Sequence, residues 1–372
     1  MDFTYLINEL TKGFMSFTWG NAFMIAVGLV LIALAVFKEY EPVLLLPIGF
    51  GCVMANLGMS ADTGFMKVIY DAGIKSEIFP LLIFIGVGAM IDFSPLLSQP
   101  SMVLLGAAGQ FGIYGTLLLA LWLGFPLNQA ASIGVIGAID GPTAIFVGSK
   151  LAPELLAPIA VAAYSYMSLI PIIQPPIMKI LTTRKERLIR MEYSPRPVSR
   201  LTLVIFPIFV TIIVSIIAPD AAPLIAALML GNLLRESLVV DRLSKAAQNE
   251  IINIATLFLG LAIGATMTAQ SFLNLETLKI LALGLAAFVI DTVAGLLFGK
   301  LMAVVTRYKV NPLIGACGIS AFPMAGRLSA KMAQDEDFEN FILMHAMGAN
   351  TAGQLGSVIA GGLLLALVSG LV

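Results

Sequence analysis

An aspartate followed at once by Gly-Pro interrupts an apolar run at 134–150, GVIGAIDGPTAIFVGSK. An ionised carboxylate in hydrocarbon is costly unless it is paired, hydrated or holding a cation, so Asp140 points to an ion or proton pathway. Gly141 and Pro142 cannot continue a helix out of it, which frees backbone carbonyls and amides beside the acid. A second interrupted run at 311–327, NPLIGACGISAFPMAGR, carries Asn311, Ser320, Pro323 and Arg327. Hard cations take oxygen ligands, and Asp140, Ser320 and Asn311 offer a carboxylate, a hydroxyl and an amide. Arg327 brings a fixed positive charge able to displace a cation or lower a neighbouring acid's proton affinity; anchoring at the membrane interface is its other reading. Asn350, in HAMGANTAGQLG, adds an amide ligand, with packing through its small neighbours as the competing role.

Other polar residues in apolar surroundings divide by their neighbours. Tyr164 and Tyr166 lie in LAPIAVAAYSYMSLIPIIQPP at 156–176, and a buried phenol is a proton donor or acceptor; the residues alone do not separate the two. Gln174 with Pro175 and Pro176 marks a kink. Asp92 before Ser94-Pro95 reads as a cap, Asp291 as a deeper acid, and His345 as an ordinary helix residue. Cys52 and Cys317 are too far apart and too few for a disulfide framework or a zinc site.

What must position these groups is a membrane protein. Hydrophobic residues make up 59% of 372 and charged residues 12%, with a mean hydropathy of +0.97. Apolar segments fall near 21–37, 42–58, 80–97, 101–123, 155–178, 201–218, 221–237, 251–272, 277–306 and 340–370, which predicts an all-α polytopic membrane protein of about ten spanning helices. The stretch 62–78 is too charged to span and predicts an interfacial turn or short helix. The opening residues show no basic region ahead of an apolar core, so no cleaved leader is expected, and a net charge of -1 makes no case for nucleic acid.

The loop 179–200 carries Lys179, Arg184, Lys185, Arg187, Arg190, Arg196 and Arg200 and is therefore expected in the cytoplasm. Basic residues recur two spans later and again two spans after that, a register that holds only if 127–150 and 310–334 enter and leave on one face. These two re-entrant arms resemble each other: Gly134, Gly137, Pro142 and Lys150 match Gly315, Gly318, Pro323 and Lys331 at one offset. Five spans separate the repeats, so the halves are inverted, the architecture of secondary transporters with an ion site where the arm tips meet. The chain divides into a first half 1–178, a basic cytoplasmic loop 179–200 and a second half 201–372.

Four stretches, GAIDGPTAIFVGSKLAPELL, AVAAYSYMSLIPIIQPPIMK, GNLLRES and NPLIGACGISAFPMAGR, occur in order, and with them the whole chain resembles the beta subunit of the sodium-pumping biotin-dependent decarboxylases. The family includes the membrane subunits of oxaloacetate, methylmalonyl-CoA, glutaconyl-CoA and malonate decarboxylases. The resemblance implies a subunit of a bacterial or archaeal cytoplasmic membrane that takes carboxybiotin from a separate carrier, decarboxylates it and moves sodium outward while consuming a proton. It places the family's essential aspartate on Asp140, its tyrosine on Tyr166, and the polar set of its second arm on Asn311, Gly315, Ser320 and Arg327. The expected assignment is then Asp140, Asn311, Gly315, Ser320 and Asn350 around sodium, Tyr166 or Ser320 for the proton, and Arg327 with Lys150 toward carboxybiotin. Implied partners are the biotin carrier, a carboxyltransferase subunit and a small membrane subunit, around a trimeric core. Without the resemblance, the inverted repeat would equally fit a stand-alone sodium/proton or sodium/organic-anion exchanger.

Overall fold

A computed structural model describes residues 17–39, 41–192 and 197–371. The first 16 residues, on which the expectation of no leader rests, and Arg196 of the basic loop lie outside the described residues.

The described chain is helical throughout, with no strand. In chain order the principal helices are α1 (Trp19–Lys38), α2 (Pro42–Ala55), α3 (Ile78–Met90), α4 (Met102–Ala108), α5 (Phe111–Trp122), α6 (Leu127–Gly134), α7 (Gly141–Leu151), α8 (Leu156–Ser168), α9 (Ile170–Leu181), α10 (Arg200–Ile217), α11 (Ala222–Ser237), α12 (Ile252–Thr266), α13 (Leu275–Val305), α14 (Met324–Glu336) and α15 (Leu343–Ser369). Each of the ten apolar segments overlaps at least one of these helices, and 101–123 and 155–178 overlap two each. Among the described residues six helices are long and apolar enough to cross a membrane, α4 and α5 counting as one, and up to eight if each of two bent pairs is a single span. One bent pair is Gly64–Lys75 with α3, at 57°, so the charged 62–78 stretch is a helix running through a π-turn into an apolar one. The other is α8 with α9, at 64°. That bend lies at Leu169, with Pro171 opening α9, whereas Pro175 and Pro176 sit inside α9 and not at the break.

Local chemistry sets several helix starts. Thr18 caps α1, Ser199 accepts the Thr202 amide at 3.1 Å at the start of α10, and Asn274 accepts the Thr277 amide at 2.7 Å at the start of α13. Each side-chain oxygen satisfies an amide that has no intrahelical acceptor.

The helices pack in pairs across the two halves of the chain. α1 packs on α2, and α10 on α11; α2 then packs on α12, and α11 on α3. α5 lies against α6 and the 3-10 turn Val135–Ala138, while α13 lies against the 3-10 turn Pro312–Gly318. α8 and α9 pack on α13, and α15 on α4. Small residues let the backbones touch: a Cβ on Gly28 or on Gly49 would come within 2.7 Å of the other's carbonyl oxygen. In a membrane, where lipid is as apolar as leucine, such close contact is a principal source of helix association.

Candidate functional site

Two broken segments meet in the middle of this bundle. The first runs from α6 through the Val135–Ala138 turn, breaks at Ile139 and Asp140, and resumes as α7. Ile139 sits in the left-handed region at φ 55°, where a β-branched residue is held only by its surroundings. The second runs from the Pro312–Gly318 turn through an extended Ile319 to a cis Phe322-Pro323 bond, then into α14. The two breaks touch: the Ser320 amide donates to the Ala138 carbonyl at 3.4 Å. Backbone outside regular helix at such a position is tolerated only inside protein or beside water, and Val135, Ile136, Ile319 and Ala321 are all buried.

Asp140 is 6% exposed and sits at the N-terminus of α7. Its Oδ2 accepts from the Thr143 hydroxyl at 2.7 Å, the Gln354 side-chain amide at 3.0 Å and the Ser357 hydroxyl at 3.3 Å. Three donors and the positive end of a helix dipole favour a negative carboxylate. Asp140 lines a cavity of about 350 Å³ shared with Tyr164, Ser320 and Gln354. The lining also includes Glu41, at the start of α2, with Gln248, Asn253 and Thr256. No group of three or more His, Cys, Asp or Glu suited to a tightly held metal occurs among the described residues.

The expected site residues are therefore brought together in part. Asp140 and Ser320 line one cavity, and the Ser320 hydroxyl also donates to the Gly353 carbonyl of α15 at 3.2 Å. Asn350 stands behind the second break. Its Nδ2 donates to the carbonyls of Cys317 at 3.1 Å and Ile319 at 2.7 Å, and its Oδ1 is buried with no partner. Asn311 is at the foot of the arm, donating to the Arg187 and Ile189 carbonyls at 3.0 and 2.9 Å while its Oδ1 accepts the Leu313 amide. Gly315 is pressed against the Gly295 carbonyl of α13, so its role in this geometry is a close helix crossing. Arg327 is exposed on the first turn of α14, without an ion pair among the described residues, and does not line the Asp140 cavity. Lys150 pairs with Glu77 at 3.2 Å and lies 4.5 Å over the Phe146 ring.

The two tyrosines separate in space. The Tyr166 hydroxyl donates to the Leu281 carbonyl of α13 at 2.6 Å. Tyr164 is 1% exposed, lines the cavity and has a hydroxyl without a partner among the described residues. Gln354 and Ser357 are site residues the sequence reading passed over. Their signal was available: with Asn350 they fall at i, i+4 and i+7, one stripe of a helix, and polar residues on one face of an otherwise apolar span face the protein interior.

Outside the bundle, three arginines of the basic loop pair with the chain's own acids. Arg187 meets Glu336 at 2.7 Å, Arg184 the same carboxylate at 3.2 Å, and Arg190 meets Asp337 at 2.7 Å. A hydrogen bond from Arg187 holds Glu336 below the usual carboxylate range, and one from Arg190 does the same for Asp337. Three of the loop's arginines thus clasp the end of α14, the far end of the second arm.

Comparison with known proteins agrees over nearly the whole chain. The sequence profile of a family described as the Na+-transporting oxaloacetate decarboxylase beta subunit matches residues 20–368. The methylmalonyl-CoA decarboxylase subunit beta of Veillonella parvula is 53% identical over 98% of this chain and 97% of its own length. The glutaconyl-CoA decarboxylase subunit beta of Acidaminococcus fermentans is 53% identical over 96% of both chains. The oxaloacetate decarboxylase beta chain of Klebsiella pneumoniae is 46% identical, covering 96% of this chain and 98% of the relative.

Proposed function

The chain belongs to the family of beta subunits of sodium-pumping decarboxylases, and on that premise we propose that Asp140, at the contact of the two broken arms, is the point where decarboxylation and sodium movement are coupled. The protein is a membrane-embedded decarboxylase and translocase subunit of a multi-subunit complex, which disfavours the stand-alone exchanger. The observation that carries the site is the buried Asp140 carboxylate, held on one oxygen by Thr143, Gln354 and Ser357 and lining a cavity with Ser320.

Sodium is the cargo. Its ligands are Asp140 Oδ1, the Ser320 hydroxyl and carbonyl oxygens freed at the breaks, oxygen donors of the kind a hard cation takes. Asn350 fixes the second break through the Cys317 and Ile319 carbonyls and keeps its Oδ1 for the ion. Asn311 and Gly315 act through the position of the arm, which they seat on the loop and on α13.

Carboxybiotin, carried on a separate subunit, supplies an N-carboxylate whose loss of carbon dioxide is downhill and leaves a nitrogen needing a proton. Ser320 lines the cavity and is the group placed to pass that proton; Tyr166, bound to Leu281, braces α8 against α13. The unpaired guanidinium of Arg327 is placed to take the carboxylate as a fork, a role lysine does not fill. Lys150, engaged with Glu77, is the weaker of the two cations expected for that task.

At the scale of the whole chain, the exchanged pairings of α2 with α12 and α11 with α3 support ten spans in two inverted halves. The basic loops support a cytoplasmic-membrane orientation with the first arm entering from outside and the second from the cytoplasm. The remaining partners are the carrier, a carboxyltransferase subunit and a small membrane subunit, about a trimeric core.

The test is carbon dioxide release from a carboxylated biotin carrier by the reconstituted complex, with and without sodium and avidin. Release should need sodium, stop with avidin and vanish in Asp140→Asn while the complex still assembles. Sodium flux indifferent to avidin and to Asp140→Asn would overturn the reading.

A further inference from the structure

The cavity lined by Asp140 is lined by a second acid, Glu41. The Glu41 carboxylate makes no ion pair or hydrogen bond among the described residues, and its backbone is held at φ 36° as the residue before Pro42 at the start of α2, with its carbonyl accepting the Leu44 and Leu45 amides. That left-handed backbone is unfavourable for a glutamate and persists only when the surroundings fix it. The other polar groups of the lining are uncharged. Gln248 comes from the π-turn Ala247–Ile251, a local widening that recurs at functional sites, and Asn253 and Thr256 come from α12. Tyr164 adds a buried hydroxyl with no partner among the described residues. No Lys, Arg or His lines this cavity among the described residues, and Arg327 is not part of it.

Two carboxylates and neutral oxygens in a confined space draw cations in and keep anions out, because low-dielectric walls focus the field of the fixed charges. A carboxylated biotin is an anion. We propose that this cavity is the sodium ion's own route to Asp140, with Glu41 as the capture residue at its mouth, and that the carboxylate of carboxybiotin reaches the arms by a different face, on the side of Arg327. The inference rests on the reading of Asp140 as the sodium ligand and adds the path and the residue that loads it.

The experiment is sodium dependence of decarboxylation by the assembled complex, with ionic strength held constant by choline chloride. Glu41→Gln should raise the KM for sodium roughly two- to fivefold and leave kcat at saturating sodium nearly unchanged, since a charge some distance from the site alters loading and not chemistry. The difference should shrink as ionic strength rises, and Glu41→Asp should keep a near-native KM. Asn253→Asp, which adds a negative charge to the wall, should lower the KM, and Asn253→Lys should raise it; this pair decides the matter even where a Glu41 variant fails to fold. An unchanged KM in Glu41→Gln, or a shift insensitive to salt, overturns the capture role. If Asp140→Asn is inactive while Glu41 and Asn253 variants keep the native KM, only this inference fails; if Asp140→Asn keeps sodium-dependent turnover, the underlying reading fails with it.

Discussion

At the residue scale, the proposed site turns on one buried carboxylate. Thr143, Gln354 and Ser357 satisfy Asp140 Oδ2, and hydrogen bonds to a charged group contribute about 1.5–3 kcal/mol each. Gln354→Ala, which leaves that oxygen short of a donor in a buried position, should therefore raise the KM for sodium about tenfold or more. The comparison is Gln354→Glu, which places a second acid against Asp140 and should be worse than alanine. A sodium titration of turnover for both variants checks the order; equal values for wild type and Gln354→Ala would remove the amide from the site. Asp140 could be found in the sequence because an acid beside Gly-Pro in an apolar run has few purposes. Gln354 was harder, since glutamine in a long helix announces nothing until its register against Asn350 is counted. Which tyrosine faces the cavity was not legible, because Tyr164 and Tyr166 differ by two positions and only the packing of α8 against α13 turns one outward from the site.

Among the elements, the second arm is the one with a handle on it. Its far end is clasped by Arg184, Arg187 and Arg190 through Glu336 and Asp337, and its near end is held by Asn350 and Gly353 of α15. The sign of the pH effect follows from the direction of the shifts. Arg187 holds Glu336, and Arg190 holds Asp337, below their ordinary values, so the contribution of the clasp is present above the usual carboxylate range and is lost as pH falls through the depressed values. Thermal unfolding of the purified protein should thus show a Tm that declines below about pH 4. The double variant Glu336→Gln, Asp337→Asn should start lower and decline less over that interval; parallel curves would show that the pairs are idle. The helices themselves were legible, since apolar runs of this length have few other fates. The clasp was not: in the sequence its arginines are simply the positive charges a cytoplasmic loop is expected to carry, and they stand 147 to 152 positions from their acids. The α8–α9 bend was misplaced for a related reason. Pro175 and Pro176 are tolerated within α9, where Gln174 reaches the Ala316 carbonyl at 2.7 Å, and the chain turns instead at Leu169.

For the whole molecule, the question is why two arms are needed when one holds the acid. If each enters from its own face, their contact at Ala138 and Ser320 divides the path through the bundle into two blind ends. An ion at Asp140 is then reachable from one side only while the arms touch, and separation of the breaks must accompany passage to the other. That arrangement makes the ion's release and the proton's arrival parts of one movement, which is what coupling requires. It also fixes a sidedness that can be measured. Cys52 and Cys317 are buried, so a single exposed cysteine can be read against a quiet background. Glu154→Cys, in the exposed turn after the first arm, should react with a membrane-impermeant maleimide on intact cells; Phe338→Cys, 81% exposed beyond the end of α14, should react only after the cells are opened. Labelling of both from the same side would place both arms on one face and remove the inverted repeat, and with it the two-ended path. Opposite labelling leaves the 3.4 Å Ala138–Ser320 contact as the barrier that transport has to break.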